Sequence, residues 1–198
     1  MTSTDDPDVP QRPPLYPLST RTATESLRIP AAVLIVLLIA AHAQRWGLDS
    51  IVELLREPLP IISLLAAYFA GLFVHELLHT LGYTLIGRAP IRSCPISFDG
   101  LLVAARCLAP IRIWRYRAAT ALPGLVLGLL PLLTGLLAGK AWMSVYGAIM
   151  TGGALGDMRV LWVLRSVPGN DTVIYRPAIG AYEAEPSPTP AVEPAPES

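Results

Sequence analysis

Apolar and polar positions divide the chain into four long apolar segments that are separated by polar loops. The segments are about Ile29–Ala43, Leu59–Ile86, Ala118–Leu137 and Ala141–Leu164. A helix needs about 20 apolar residues to cross a bilayer. The first segment is short, but Trp46 extends it through the interface. The pattern therefore predicts an all-α membrane protein with four transmembrane helices.

The two ends of the chain are rich in Pro, Ser, Thr and acidic residues and have no periodic apolar face. Such segments bury too little apolar surface to offset their ordering entropy. We therefore predict a disordered N-terminal segment over residues 1–27, a membrane domain over 28–180, and a disordered Pro/Glu/Ala-rich tail over 181–198.

The loop between the second and third segments has the pattern of a β-hairpin. The apolar runs Ile91–Phe98 and Leu101–Leu108 flank Asp99-Gly100. Asp-Gly between two apolar runs is a strong signal for a two-residue type I′ turn. The hairpin is unusually apolar, so we expect it to be associated with the membrane, between helices 2 and 3.

A turn at Asp99-Gly100 fixes the expected pairing of the two strands. Phe98 then faces Leu101, and Cys94 faces Ala105. Cys107 lies diagonal to Cys94, so we do not expect a disulfide between them, and both are interpreted as small apolar residues.

Composition indicates which solvent surrounds the apolar segments. Hydrophobic residues make up 53% of the chain and charged residues 15%, against about 25% charged in average soluble domains. We therefore expect a lipid bilayer around the segments. Fifteen basic residues balance fifteen acidic ones, which argues against a nucleic-acid partner.

The distribution of Arg and Lys predicts the orientation in the membrane. The loop between the second and third segments holds six arginines, whereas the loops on the opposite side hold Arg45, Arg56 and Lys140. We therefore predict a multi-pass protein of the cell membrane with the Arg-rich loop and both termini in the cytosol. The six arginines are Arg88, Arg92, Arg106, Arg112, Arg115 and Arg117.

The second apolar segment contains the sequence His75-Glu76-Leu77-Leu78-His79. Residues four apart lie on one face of a helix, so His75 and His79 can bind one Zn²⁺. Glu76 is placed to accept a proton from a water that the metal activates. Ionisable groups inside a membrane helix are expensive and suggest function. The alternative is three polar side chains that satisfy one another in the core.

Asp157 is the best candidate for a third zinc ligand, which a catalytic site requires. Among the acidic residues after His79, it alone lies within an apolar segment. It is 16 residues from Ala141, as His75 is from Leu59, so both sites lie at similar depth. The alternative is an ion pair between Asp157 and a nearby arginine.

Small residues on both helices allow the close approach that such a site needs. Gly71 lies one turn before His75, and a glycine-rich run from Gly152 precedes Asp157. Tyr83, one turn after His79, is interpreted as an interfacial aromatic, with a position at the site as the alternative. His42 is interpreted as a lone histidine near the membrane edge.

The motif His75-Glu76-Leu77-Leu78-His79, followed by one intervening span and Asp157, resembles the site-2 protease class of intramembrane zinc metalloproteases. More narrowly, Gly156-Asp157-Met158 with the stretch 163–168 is similar to the DUF3267 family of zincin peptidases. The resemblance covers about residues 61–180. It implies a three-helix metalloprotease core, His75, His79 and Asp157 as ligands of one Zn²⁺, and Glu76 as general base.

The sequence therefore favours an intramembrane zinc metalloprotease that hydrolyses peptide bonds of membrane-protein or peptide substrates. The alternative is a catalytically inactive zinc-binding scaffold or partner-binding protein, and Glu76 favours the enzyme because a structural site needs no general base. A metal transporter is a weaker third class, since the first and third segments are almost free of polar residues. The oligomeric state is left open.

Overall fold

The computed structural model describes residues 15–17, 20–99 and 102–186 of the chain. Its architecture is mostly helical, with two small antiparallel sheets. The sequence predicted one hairpin in an otherwise helical protein, so the second sheet is an addition to the expected fold.

Three helical stretches are long and apolar enough to cross a membrane: Ser26–Trp46, Pro58–Ile86 and Ile113–Ala138. The first is most of α1 (Thr20–Trp46). The second joins α3 (Pro58–Leu81) to a π-helical turn, Gly82–Ile86, and the third joins α4 (Ile113–Pro123) through a π-helical segment, Gly124–Leu129, to α5 (Leu130–Ala138). These helices suggest membrane association.

Local sequence explains where these helices begin and end. Pro58 occupies the first turn of α3, where its missing N–H has no intrahelical partner to lose. Gly139 follows α5 with φ of 69°, a left-handed conformation that glycine adopts without steric cost. The short helix α2 (Asp49–Arg56) connects α1 to α3 and buries Ile51.

The fourth predicted apolar segment forms two helices rather than one. They are α6 (Ala141–Gly153) and α7 (Leu155–Val163), followed by a 3₁₀ turn, Leu164–Ser166. They meet at Ala154, whose ψ of 1° departs from helical values. Gly152 and Gly153 precede the break and disfavour helix. The break places Asp157 in the first turn of α7.

A four-stranded antiparallel sheet joins both ends of the described chain to the loop before α4. Its order is β1 (Leu15–Pro17), β6 (Ala181–Glu185), β5 (Thr172–Arg176) and β4 (Ile111–Arg112).

The sheet includes parts of the two segments that the sequence predicted to be disordered. Tyr16 pairs with Tyr182, and the buried positions of β6 are Ala181, Tyr182 and Ala184. Thr20 to Leu27 are helical. The rest of these two segments, residues 1–14, 18–19 and 187–198, lies outside the described residues. Short strands of this kind depend on partners remote in sequence, which the local pattern did not supply.

The hairpin forms between α3 and α4, but its register differs from the predicted one. Strands β2 (Ile96–Asp99) and β3 (Leu102–Ala105) pair Phe98 with Val103 and Asp99 with Leu102. This pairing differs from the predicted Phe98–Leu101 pair, and the two residues between the strands, Gly100 and Leu101, lie outside the described residues.

The shifted register also corrects the interpretation of the cysteines. Continued beyond Ile96↔Ala105, it sets Cys94 opposite Cys107. The two cysteines form a disulfide with a Cα–Cα distance of 4.0 Å, and both are buried. The expectation that Cys107 lies diagonal to Cys94 was wrong, because a shift of one residue in the turn moves every cross-strand pair.

A buried core lies between the sheet, the base of the hairpin and the ends of α3, α4 and α7. It contains Ile111, Ile113, Leu164 and Val173 together with a group of tyrosines. This core supports the ends of the helices that carry the ionisable side chains predicted to form the site.

Candidate metal centre

His75 and His79 lie one turn apart near the end of α3, as their spacing predicts. Their ring centroids are 4.8 Å apart, and the ring planes are nearly perpendicular at 81°. Both Nε2 atoms point to the carboxylate of Asp157 on α7. His75 Nε2 is 3.1 Å from Asp157 Oδ2, and His79 Nε2 is 3.1 Å from Asp157 Oδ1. The structure thus brings together the three residues that the sequence nominated as ligands.

The donor set fits a zinc ion. Two imidazole nitrogens and one carboxylate oxygen lie within 4.8 Å of one another. Bonds of about 2.0–2.1 Å in tetrahedral geometry place ligand atoms roughly 3.3 Å apart, close to the two observed distances of 3.1 Å. The His79 side chain is 5% exposed, and those of His75 and Asp157 are 13% and 21% exposed, so the cluster is only partly open to solvent. Three protein ligands leave a fourth position open, as in catalytic zinc sites.

Glu76 lies beside the two histidines and contacts the hairpin. Its Oε2 accepts a hydrogen bond of 2.6 Å from the backbone N–H of Ala105 on β3. A charge-assisted bond of this length orients the carboxylate. It also shows that the edge of β3 turned away from β2 faces the candidate metal centre.

A stack of aromatic rings supports His79 from the sheet side. The His79 ring stacks on Tyr83 at 5.9 Å, and Tyr83 stacks on Tyr116 at 5.2 Å. The hydroxyls of Tyr116 and Tyr182 are 2.5 Å apart. Burial raises the pKa of the Tyr182 phenol, so it stays protonated and able to donate.

The sequence did not identify this aromatic stack. Tyr83 was expected at the membrane interface, but its ring is buried. Its position one turn after His79 was the available local signal. Tyr116 and Tyr182 come from α4 and β6, and no local pattern connects them to the motif.

The second ring nitrogen of His79 faces α4. Nδ1 is buried without a hydrogen-bond partner of standard geometry, and the ring interacts with the backbone carbonyl of Ala119. Pro123, four residues after Ala119, has no N–H to donate to that carbonyl. The proline therefore leaves an acceptor free where a metal-binding histidine needs an outer partner.

The glycines contribute to the site differently from the expectation. A Cβ at Gly71 would lie 2.7 Å from the Tyr146 hydroxyl, so the end of a side chain of α6 packs on α3 there. A Cβ at Gly152 would meet Ile35 of α1 at 2.5 Å. Gly153 and Gly156 have no heavy atom within 4 Å of such a position. They therefore leave space beside Asp157 instead of packing α7 against α3.

His42 lies elsewhere in the bundle. It is fully buried, and its Nδ1 is 2.8 Å from the Ser144 hydroxyl of α6. This contact joins α1 to α6, and His42 is not part of the group with His75, His79 and Asp157.

A cavity of about 450 Å³ opens beside the candidate centre. Its walls come from α1, the end of α3, β3, the α6–α7 junction and the tyrosine stack. Glu76, His79 and Asp157 line it. The cavity therefore gives a ligand access to the general-base candidate and to the metal-binding atoms.

Comparison with protein families identifies the chain. The model of the DUF3267 family, described as "Putative zincin peptidase", matches residues 68–172, which is more than half of the 198 residues. The chain belongs to this family. The matched region includes the His-Glu-x-x-His motif, the hairpin and Asp157, and the family supports a zinc metallopeptidase. No curated protein and no solved structure gives a match to the chain.

Proposed function

We propose that the protein is an intramembrane zinc metalloprotease of the site-2 protease type, which hydrolyses peptide bonds of membrane-protein substrates. The observation that carries the proposal is the meeting of His75, His79 and Asp157 on a helix pair, with the Glu76 carboxylate beside them. The motif lies in a helix long and apolar enough to cross a membrane. Ionisable groups in such a helix generally serve a function.

The mechanism assigns one role to each group. Zinc, when bound by His75, His79 and Asp157, supplies a Lewis acid that polarises the scissile carbonyl and lowers the pKa of a water. Glu76 accepts the proton of the attacking water and passes it to the leaving amine. The Ala105 N–H holds Glu76 Oε2, and a carboxylate has further lone pairs to receive the proton.

The edge of β3 is the proposed docking position for the substrate. A helical substrate has its carbonyls occupied by intrahelical hydrogen bonds, so it must unwind before hydrolysis. An unwound strand can add to an exposed sheet edge through main-chain hydrogen bonds. The edge at Ala105 faces Glu76, so a strand added there passes the general base.

The proposed membrane topology has α6 and α7 together as a fourth span, with the hairpin and both termini in the cytosol. The positions of four tryptophans support it. Trp46 ends α1 and Trp142 lies at the start of α6, whereas Trp114 starts α4 and Trp162 ends α7. In this topology each pair lies at one interface, where tryptophans concentrate.

A zinc-binding scaffold without activity is the second candidate. The hydrogen bond from Ala105 to Glu76 favours it, because a carboxylate held by the hairpin could serve structure alone. The two candidates differ in whether Glu76 is needed for cleavage or only for stability.

The test combines metal content with cleavage. The purified full chain and its Glu76→Gln variant are analysed for zinc, and cleavage is measured on co-expressed single-span membrane proteins. We expect stoichiometric zinc in both proteins and loss of cleavage in Glu76→Gln, with Glu53→Gln on the exposed side of α2 as the matched control. Zinc-free wild-type protein would exclude the proposal. Zinc in both proteins with cleavage by neither would favour the scaffold.

A further inference from the structure

Three arginines line the cavity beside the candidate metal centre. They are Arg28 on α1, Arg106 directly after β3, and Arg159 on α7. From the sequence alone, Arg106 is only a signal for membrane orientation. The tertiary structure places all three at one cavity, although they are remote from one another in sequence.

No carboxylate neutralises these arginines within the part of the chain that the structure describes. The ion pairs formed there join Asp157 to His75 and His79, and Arg176 to Glu183. The cavity has two carboxylates of its own, and both are engaged. Glu76 accepts from Ala105, and Asp157 faces the two histidines.

Neutral groups hold two of the arginines in place. The Arg106 guanidinium lies 5.1 Å from the ring centroid of Tyr175. Arg159 Nη1 donates a hydrogen bond of 3.1 Å to the Ser26 hydroxyl. Each guanidinium has five N–H donors, so these contacts position the charge without using its capacity to bind an anion.

Both arginines are close in sequence to groups of the candidate centre. Arg106 follows Ala105, which binds Glu76, and Arg159 is two residues after Asp157. An extended peptide advances about 3.3 Å per residue. A ligand strand that passes Glu76 therefore brings residues a few positions away within reach of the arginines.

We propose that the cavity recognises a carboxylate of the substrate, within a few residues of the scissile bond, through Arg106 and Arg159. This inference rests on the proposed protease function and adds a substrate class to it. Guanidinium groups bind carboxylates in a planar, bidentate manner that lysine and neutral donors do not reproduce. The carboxylate is that of an Asp or Glu side chain or of the C-terminus of the substrate.

The test uses four labelled peptides that differ only in their carboxylates. One carries an internal Glu and a C-terminal amide, the second an internal Gln and a free C-terminus, the third both acids, and the fourth neither. Binding to the zinc-loaded full chain in phosphatidylcholine nanodiscs is followed by fluorescence anisotropy, and cleavage is followed by mass spectrometry. The variants are Arg106→Gln and Arg159→Gln. Arg165→Gln is the matched control, because Arg165 stacks on Trp162 and lies outside the cavity.

We expect a carboxylate-bearing peptide to bind the wild-type protein about tenfold or more tightly than the neutral peptide. Hydrogen bonds to charged groups typically have an effect of this size. The ratio of the affinities for the acidic and the neutral peptide should fall towards one in Arg106→Gln and Arg159→Gln and should persist in Arg165→Gln. The ratio of two peptides within one variant is insensitive to partial loss of folding. Preference for the internal Glu or for the free C-terminus identifies which carboxylate is bound.

Three outcomes overturn the inference. The first is equal binding of the four peptides, and the second is a preference that survives both arginine variants. The third is loss of binding of the acidic peptide when the protein is placed in nanodiscs that contain phosphatidylserine. The last result assigns the arginines to a lipid headgroup. Arginine-dependent binding without cleavage would mean that the protease proposal fails while the carboxylate site stands. Cleavage without any preference for a carboxylate leaves the protease and removes the inference.

Discussion

The long helices expose their large apolar side chains, whereas the sheet end of the molecule buries side chains of the same types. Leu59 on α3 and Leu137 on α5 are 74% and 71% exposed, whereas Ile113 and Leu164 at the sheet end are 0% exposed. A helix bundle with apolar side chains on its outside is suited to a lipid environment. A region that encloses its apolar side chains between a sheet and helix ends is suited to an aqueous environment. The candidate metal centre lies where the two regions meet.

That position combines properties of both regions. The apolar helix α3 supplies His75, Glu76 and His79 among apolar neighbours. The buried core at the sheet end supplies rigidity: the Tyr83 ring stacks on His79, and the Tyr116 ring stacks on Tyr83. The apolar bundle makes the ionisable groups unusual, whereas the sheet end holds them in position.

Removal of a metal ligand gives the largest expected effect at the boundary. We expect Asp157→Ala to lower zinc affinity by more than the roughly 10–100-fold that follows loss of an outer partner, because it removes a donor 3.1 Å from both imidazoles. Competition with a chelator measures the affinity. Glu53→Ala, an exposed acidic residue on α2, should leave it unchanged. Full affinity in Asp157→Ala would move the third ligand elsewhere.

One substitution made in each region tests the difference between their packing. Leu164→Ala opens a cavity in the closed core and should lower the free energy of unfolding by about 2–5 kcal/mol. Leu137→Ala removes an exposed side chain and should change it by about 0.5 kcal/mol or less. Chemical unfolding in detergent micelles measures both. Equal effects would mean that the two regions are packed alike.

The contact between α3 and α6 is expected to give a smaller effect. Gly71→Ala places a Cβ 2.7 Å from the Tyr146 hydroxyl and 3.3 Å from Met150 Sδ. The contacting atoms are the ends of flexible side chains that can shift, which limits the cost of overpacking to about 1–2 kcal/mol. Gly153→Ala meets open space and serves as control in the same unfolding assay. A stabilised Gly71→Ala variant would show that Tyr146 and Met150 move aside without cost.

The smallest expected effect concerns the tyrosine hydroxyls. Tyr116→Phe removes the 2.5 Å hydrogen bond to Tyr182 and should cost about 1 kcal/mol. Tyr68 on α3 makes a ring contact with Phe69 but no hydroxyl hydrogen bond within the described residues, so Tyr68→Phe should be neutral. Thermal unfolding of the two variants provides the measurement. Equal unfolding midpoints of the two variants would show that the hydroxyl contact does not stabilise the sheet end.

Local patterns in the sequence predicted a large part of the helical fold. The apolar segments, the spacing of His75 and His79 and the place of Asp157 in an apolar segment required only short-range rules. The break at Ala154 was missed because Gly152 and Gly153, which precede it, were interpreted as packing residues of one continuous helix. The register of the hairpin was missed because the turn signal Asp99-Gly100 suggested a pairing of Phe98 with Leu101, whereas Phe98 pairs with Val103. The local pattern could not decide between these registers.

The sequence by itself determined the residues that can bind a metal, because helical periodicity places His75, Glu76 and His79 together without reference to the rest of the chain. Only the tertiary structure decided what surrounds them. Asp157, the Ala105 N–H and the tyrosine stack come from separate elements whose pairing depends on long-range packing. The same holds for Arg106 and Arg159, because side chains more than 50 residues apart share a cavity only after the helices and the hairpin have packed.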